Sequence, residues 1–179
     1  MLKMNKYSAE KREKIAQIIR INHAGEYAAK RIYQGQLEFI KDSETKKIIE
    51  KMAQNEEEHL NYFEKKLIER GTRPTFLYPV VNICAYALGA VTAILGKEAA
   101  MACTTAVEEV IADHYQEQLT TLDNTEDELK KNITKIRDEE IAHKDTGFTH
   151  DAINAPGYDL LSSIIKFGCK SAIKLVKYV

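Results

Sequence analysis

Residues that interrupt helices or cross-link chains are scarce in this sequence. Its 179 residues include 8 glycines, 3 prolines, 3 cysteines and no tryptophan. So little glycine and proline argues against a sheet protein with many turns and suits long helices. The cysteines are odd in number, lie far apart and form no Cys-x-x-Cys pair. This argues against a disulfide framework or a rubredoxin-type iron site, and it is typical of a reducing compartment. They are Cys84, Cys103 and Cys169.

An excess of charge of one sign is also lacking. The formal net charge is −1 at pH 7, so no basic field favours nucleic acid as a partner. Residues 1–14 contain no apolar stretch with a small-residue cleavage site, and they mix acids with bases. We therefore expect neither a secretory signal nor an organelle transit peptide. The length suits one well-buried core, and we expect a single domain over residues 1–179 of a bacterial-type cytosolic chain.

The sequence does contain a series of long helix-forming segments. No segment alternates between apolar and polar residues over a useful length, so strands are not predicted. Gly71, followed by Pro74, ends the second helix, and Thr125-Glu126-Asp127-Glu128 has the pattern of a capping box that begins the fourth. These features predict an all-α fold. Four predicted long helices span 8–40, 44–70, 97–122 and 125–149, and a closing helix spans 159–179.

An apolar segment without a single charge, FLYPVVNICAYALGAVTAIL, occupies residues 76–95 between the second and third long helices. It nearly reaches the roughly 20 residues that span a bilayer, but Pro79 and Asn82 interrupt it. One interpretation is a buried crossover helix. We favour instead a crossover helix whose outer face enters a membrane surface. A true span is the weakest interpretation, because it would separate two halves of the chain that need each other.

Two acidic segments, NEEEHL and RDEEIAH, each place a glutamate one helical turn before a histidine. On a helix, Glu56 shares an apolar stripe with Phe63, whereas Glu57 shares its face with polar residues. By the same spacing Glu140 points inward and Glu139 points outward. A solvated helix face is the ordinary interpretation of such acidic runs, but it does not explain the inward position of one acid in each run. The inward pairs are Glu56 with His59 and Glu140 with His143.

The other two long helices each add one inward glutamate. Glu26 lies on an apolar stripe that includes Tyr33, and Glu108 lies on one that includes Tyr115, whereas Glu109 faces polar residues. The two halves of the chain repeat this arrangement, with spacings of 30 and 32 residues between their glutamates. Each of the four long helices therefore carries one glutamate on its core-facing side.

Four buried carboxylates need compensation, because desolvation costs several kcal/mol per ion and these stripes carry no inward lysine or arginine. Two divalent cations bound by carboxylate and imidazole provide it. One glutamate from each of two helices and Glu-x-x-His from each of the other two is the dimetal arrangement of ferritin-like bundles. We therefore predict a ferritin-like four-helix bundle with an apolar crossover helix and a C-terminal amphipathic helix. The predicted ligands are Glu26, Glu56, His59, Glu108, Glu140 and His143.

Four segments of the chain resemble the demethoxyubiquinone hydroxylases, the di-iron enzymes of ubiquinone biosynthesis. They read INHAGEYAAKRIY, NEEEHLNYF, AVEEVIADHY and RDEEIAHKDTG. The similarity extends from about residue 19 to the closing helix with its GCKSAI run, and it assigns ligand roles to the same six residues. Asn22 and Ala28 fall where members of that family vary. The resemblance implies two ferrous ions, dioxygen as co-substrate and a polyprenylated demethoxyquinone or quinol as substrate, whose ring gains a hydroxyl.

The resemblance admits NADH as the electron donor, although no nucleotide-binding loop is present in the sequence. His114 and Tyr115, both about two turns beyond Glu108, are candidates for proton or electron handling near the metals; packed or surface roles are equally open. Three rival functions remain. They are an iron-storage or peroxidase-type ferritin-like protein, a manganese catalase, and a non-catalytic lipid-binding bundle at a membrane surface.

The closing helix carries four lysines within one arc, opposite a set of apolar residues. Together with residues 76–95, it predicts peripheral binding to the cytoplasmic side of the inner membrane, where a prenylated substrate resides. A homo-oligomer or partner proteins of quinone biosynthesis are left open. The lysines are Lys166, Lys170, Lys174 and Lys177, and the opposite residues are Leu161, Ile165, Ala172 and Val176.

Overall fold

The computed structural model describes residues 8–178, and every regular element within that range is helical. The all-α prediction is confirmed. The predicted closing helix was extended to Val179, which lies outside the described residues, as does the segment 1–7. The long helices are α1 (Ala9–Phe39), α2 (Ser43–Arg70), α3 (Tyr78–Leu95), α4 (Lys97–Thr121), α5 (Asp127–Thr149) and α6 (Tyr158–Val176).

Most helix ends follow from local side-chain chemistry. The Ser8 side chain caps α1, and Gly71 ends α2 in the left-handed conformation at φ 60°, as predicted. The capping box predicted at Thr125 is wrong. The Thr125 hydroxyl donates to Asp123 and the Glu128 carboxylate accepts from Lys66 of α2, so neither side chain caps α5. The chain instead forms a short 3-10 turn before α5 begins.

Helices α1, α2, α4 and α5 form a four-helix bundle around two apolar clusters. One cluster includes Ile19, Phe63 and Ile133, and the other includes Ile49 and Met101. The predicted inward glutamates fall between these clusters along each helix. The bundle therefore encloses a short polar layer between two apolar layers.

Helices α3 and α6 lie outside the bundle against α1 and α4. The contact of α3 with α1 is unusually close, because a Cβ added to Gly89 would lie 1.9 Å from the backbone oxygen of Ile32. By length and composition α3 is apolar enough to cross a membrane, but only 28% of it is buried. A fully buried crossover helix is therefore wrong: one face of α3 packs on α1 and the other is exposed.

Candidate metal centre

The six residues predicted to bind metal converge at one place in the bundle. They form two groups of four, and within each group the candidate ligand atoms lie within 4.8 Å of one another. Glu56 and Glu140 belong to both groups. Such an arrangement is that of two adjacent metal positions that share two carboxylates. The remaining members are Glu26 with His59 in the first group and Glu108 with His143 in the second.

Several polar atoms that face this centre have no hydrogen-bond partner outside the six clustered side chains among the described residues. Within the cluster, His59 Nδ1 lies 3.0 Å from Glu140 Oε1 and His143 Nδ1 lies 3.1 Å from Glu56 Oε1. All six side chains are buried, and Glu56 and Glu140 are 0% exposed. An unpartnered carboxylate at such burial is costly, and divalent cations are the compensation that an all-oxygen and imidazole donor set suits. The residues present therefore fit a pair of metal ions. The atoms without a partner outside the cluster are Glu26 Oε2, Glu56 Oε1 and Oε2, His59 Nδ1, Glu108 Oε2 and Glu140 Oε1.

Burial and mutual charge shift the pKa values of these groups in opposite directions. Burial raises the pKa of Glu56 and Glu108 well above the usual carboxyl range, and the charge of Glu140 adds to the shift. Burial acts the same way on Glu140, but hydrogen bonds from the two histidines outweigh it and lower its pKa to about 2. Burial opposes charge on His59 and His143, yet contacts with Glu140 and a second glutamate raise their pKa values to about 12 and about 10. The metal-free centre therefore retains protons that metal ions must displace.

Each histidine turns Nδ1 toward the carboxylates and has a polar neighbour at Nε2. Glu139 Oε2 lies 2.9 Å from His59 Nε2, and Asn55 Nδ2 lies 3.3 Å from His143 Nε2. An acceptor at Nε2, as Glu139 provides for His59, fixes the orientation of an imidazole whose Nδ1 binds metal, and Asn55 can provide one to His143 through its amide oxygen. Sequence reasoning assigned Glu139 to the outward face and did not single out Asn55. Their contacts depend on the register of α2 against α5, which the spacing within one helix does not reveal.

Two buried tyrosines contact the glutamates that the groups do not share. The Tyr115 hydroxyl donates a hydrogen bond to Glu26, and the Tyr33 hydroxyl donates one to Glu108 Oε1 at 2.5 Å. Tyr115 was predicted to lie near the metals, whereas Tyr33 entered the sequence reasoning only as a member of an apolar stripe. Burial, followed by the charge of Glu108, raises the pKa of Tyr33, so its phenol keeps the proton that it donates.

An apolar cavity of about 100 Å³ lies beside Tyr115, enclosed by α1, α3, α4 and α6. Its walls include Val81, Ile111 and Ile173. His114 lies in this wall and does not contact the six clustered residues through any described hydrogen bond or ion pair. Its Nε2 is buried without a partner, and burial lowers the pKa of its ring. The two residues proposed for proton or electron handling therefore have different surroundings. Tyr115 contacts the acidic centre, whereas His114 contacts the cavity.

Comparison with known proteins agrees with the resemblance of the four segments. The family described as "Ubiquinone biosynthesis protein COQ7" matches residues 13–176. The Bos taurus protein named NADPH-dependent 3-demethoxyubiquinone 3-hydroxylase, mitochondrial, is 49% identical over 168 residues, which are 92% of this chain and 77% of the relative. The Caenorhabditis elegans protein of the same name is 45% identical over 176 residues, 96% of this chain and 94% of the relative. The Rhodospirillum rubrum protein named 3-demethoxyubiquinol 3-hydroxylase is 44% identical over 160 residues, 89% and 76% of the two chains. This chain belongs to the COQ7 family of ubiquinone biosynthesis proteins.

Proposed function

We propose that this protein is a 3-demethoxyubiquinol 3-hydroxylase, a dioxygen-dependent di-iron monooxygenase that hydroxylates the ring of a polyprenylated demethoxyquinol. Relatives that bear this activity in their names match almost the whole chain. The observation that carries the proposal is the buried double glutamate and histidine centre with an apolar cavity beside it. Neither iron storage nor peroxidase activity accounts for an apolar cavity at this place.

In this proposal the six clustered residues would hold two ferrous ions. Glu56 and Glu140 would contribute to both metal positions, because each belongs to both ligand groups. Bound iron supplies the reduction of dioxygen, and oxygen-rich ligands suit it because they leave coordination positions open. Manganese would accept the same donor atoms, so metal analysis and activity with each metal decide between them. The terminal ligands are Glu26 and His59 for one ion and Glu108 and His143 for the other.

We place the quinol ring at this cavity; because its volume is about 100 Å³, below the ~300 Å³ of typical ligand sites, its walls would have to move outward to admit the ring. Its lining is mostly aliphatic, which suits an isoprenoid and excludes water from the reacting ring. The unpartnered Nε2 of His114 offers a hydrogen-bonding group to a ring oxygen or a path for its proton. Tyr115 separates the cavity from Glu26, so the ring would lie next to the metal position that Glu26 helps to form.

Two exposed apolar faces support peripheral binding to the cytoplasmic side of the inner membrane. Ile83 of α3 is 68% exposed and Phe167 of α6 is 75% exposed. Lys170, Lys174 and Lys177 are exposed beside the apolar stripe of α6, where they would meet anionic lipid headgroups, whereas Lys166 pairs with Glu109. Because the cavity lies between α3 and α6, a substrate dissolved in the bilayer could enter without crossing water. The other exposed apolar residues of these two segments are Phe76, Val80, Val91, Ile94, Leu95, Leu160, Ile164, Leu175 and Tyr178.

Oxygen incorporation tests the proposed function. Iron-loaded protein, labelled dioxygen and a short-tailed demethoxyquinol should give a product that is heavier by one labelled oxygen atom. Glu56→Gln should abolish this product, whereas Glu57→Gln, at an exposed position paired with Lys30, should retain it. NADH and NADPH are supplied in separate reactions, because two of the relatives are named for NADPH while the family resemblance admits NADH. A well-folded protein with two bound irons that incorporates no oxygen with either donor would contradict the proposal.

A further inference from the structure

We infer that Tyr33 and Tyr115 form a reciprocal pair of positioning residues that restrict Glu108 and Glu26 to binding metal through one oxygen each. The inference rests on the proposed dimetal centre and adds to it how its two terminal carboxylates bind. Each tyrosine follows the glutamate of its own helix by seven residues, Tyr33 after Glu26 and Tyr115 after Glu108. Each then donates its hydrogen bond to the glutamate of the other helix.

This crossing of partners gives the centre an approximate two-fold symmetry. Two turns of helix separate the glutamate from the tyrosine on both α1 and α4. Helices α1 and α4 run antiparallel, because Asn22 pairs with Gln118 and Gln36 with Ala100. In this register the tyrosine two turns beyond each glutamate lies level with the glutamate of the other helix. The repeated spacing therefore places a phenol beside each terminal carboxylate by the same geometry. Tyr33 belongs to the centre as fully as Tyr115 does.

The hydrogen bonds divide the oxygens of the terminal glutamates into two kinds. Oε1 of Glu26 and Oε1 of Glu108 each accept from a tyrosine, while Oε2 of Glu108 has no hydrogen-bond partner and Oε2 of Glu26 lies 3.4 Å from His59 Nδ1. Glu56, a bridging candidate, has no tyrosine partner, and its Oε1 lies 3.1 Å from His143 Nδ1. An oxygen that accepts from a phenol is turned away from chelation, so one atom remains for the metal. Each metal then keeps a coordination position that a chelating carboxylate would fill.

Burial makes these hydrogen bonds hard to replace. Tyr33 is 1% exposed and Tyr115 is 2% exposed, so bulk water does not compete for either hydroxyl. The other described contact of the Tyr33 hydroxyl is the Met52 sulfur at 3.9 Å, a weak acceptor. Removing a phenolic oxygen should therefore free a terminal carboxylate to rotate and chelate.

Cobalt(II) titration of the whole protein tests the inference without relying on activity. Wild-type protein should bind two cobalt ions. Tyr33→Phe should weaken one of them about 10- to 100-fold, the usual effect of losing a partner of a metal ligand. Its visible absorption should fall in intensity for that ion alone, because chelation raises the coordination number. Tyr115→Phe should do the same to the other ion, and the double variant to both.

Tyr62→Phe is the matched control, since the Tyr62 hydroxyl is buried, has no hydrogen-bond partner and contacts none of the six glutamates and histidines in the hydrogen bonds described. It should bind cobalt as the wild type does. Two cobalt ions with wild-type affinity and spectrum in Tyr33→Phe would overturn the positioning role, even if the variant unfolded at a lower urea concentration. Wild-type protein that binds no cobalt would overturn the metal centre itself, and the two failures are thus distinguishable.

Discussion

Raising the pH should destabilise the metal-free protein and strengthen the metal-bound one. Burial disfavours charge on His59 and His143, but contacts with Glu140 and its neighbours raise their folded-state pKa values to about 12 and about 10. In an unfolded chain the histidine pKa is about 6.5. A group whose pKa is raised on folding contributes stability that is complete below its unfolded pKa. That contribution is lost as the pH rises toward the folded pKa.

The expected slope follows from the number of protons that the folded state retains. Between pH 7 and 8 both histidines are protonated when folded and largely neutral when unfolded. Each then lowers the free energy of unfolding by about 1 kcal/mol per pH unit, and the pair by about 2 kcal/mol. The raised carboxyl pKa values of Glu56 and Glu108 act with the same sign, because the folded state again holds the extra proton.

Urea unfolding of chelator-treated protein at pH 7 and pH 8 measures this slope. With a dependence of about 1–3 kcal/mol per molar urea, the midpoint should fall by about 1–2 M. His59→Asn should remove about half of the change. Metal-loaded protein should show the opposite trend, because protons compete with metal for the same atoms. Metal-free stability that is constant or rises between these pH values would refute the assignment of protons to the centre.

Three further predictions concern metal content, packing and membrane contact. Glu108→Gln should lower the number of metal ions bound per chain, whereas Glu109→Gln should not, and equal metal content in both would contradict the helical-phase reasoning. Gly89→Ala should cost about 1–3 kcal/mol in the free energy of unfolding because its methyl group meets the α1 backbone, whereas Gly168→Ala, at an open helical position, should gain about 0.5–1 kcal/mol. The protein should float with anionic liposomes, less so at high salt or in Phe167→Ser, and carbonate should release it. Absence of flotation would contradict surface binding, and resistance to carbonate would favour a span.

The arrangement of the fold and the convergence of the six residues could be anticipated because both depend on the spacing within single helices. Residues four or seven positions apart lie on the same face of a helix, whatever that helix packs against. Glu26 and Glu140 therefore share a face with aliphatic residues in any arrangement of α1 and α5. Contacts between helices could not be anticipated in this way. Asn55, Glu139 and Tyr33 reach their partners across helix pairs, and their roles follow from register.

Two local features could also not be predicted from the sequence: the start of α5 and the exposed apolar stripe of α6. The capping pattern predicts that α5 starts at Thr125, but Glu128 pairs with Lys66 of α2, a contact between helices that the local pattern does not reveal. The arc of lysines on α6 was visible, whereas the exposed apolar stripe beside it was not separated from the buried residues of the same helix. Apolar residues on a helix indicate a core-facing side, and only the position of α6 against α4 shows which of them remain uncovered.

The close contact of Gly89 with the α1 backbone also sets the distance between the acidic centre and the exposed face of α3. Helix α1 carries Glu26, and α3 rests directly on α1, so the acidic centre lies a set distance from the exposed apolar face of α3. That distance is about one helix diameter, ~10 Å. With α3 lying on a bilayer as proposed, a quinone ring would rise by roughly that amount while most of its tail stayed in lipid. Turnover should then depend on the first few isoprene units and be indifferent to the length of the rest.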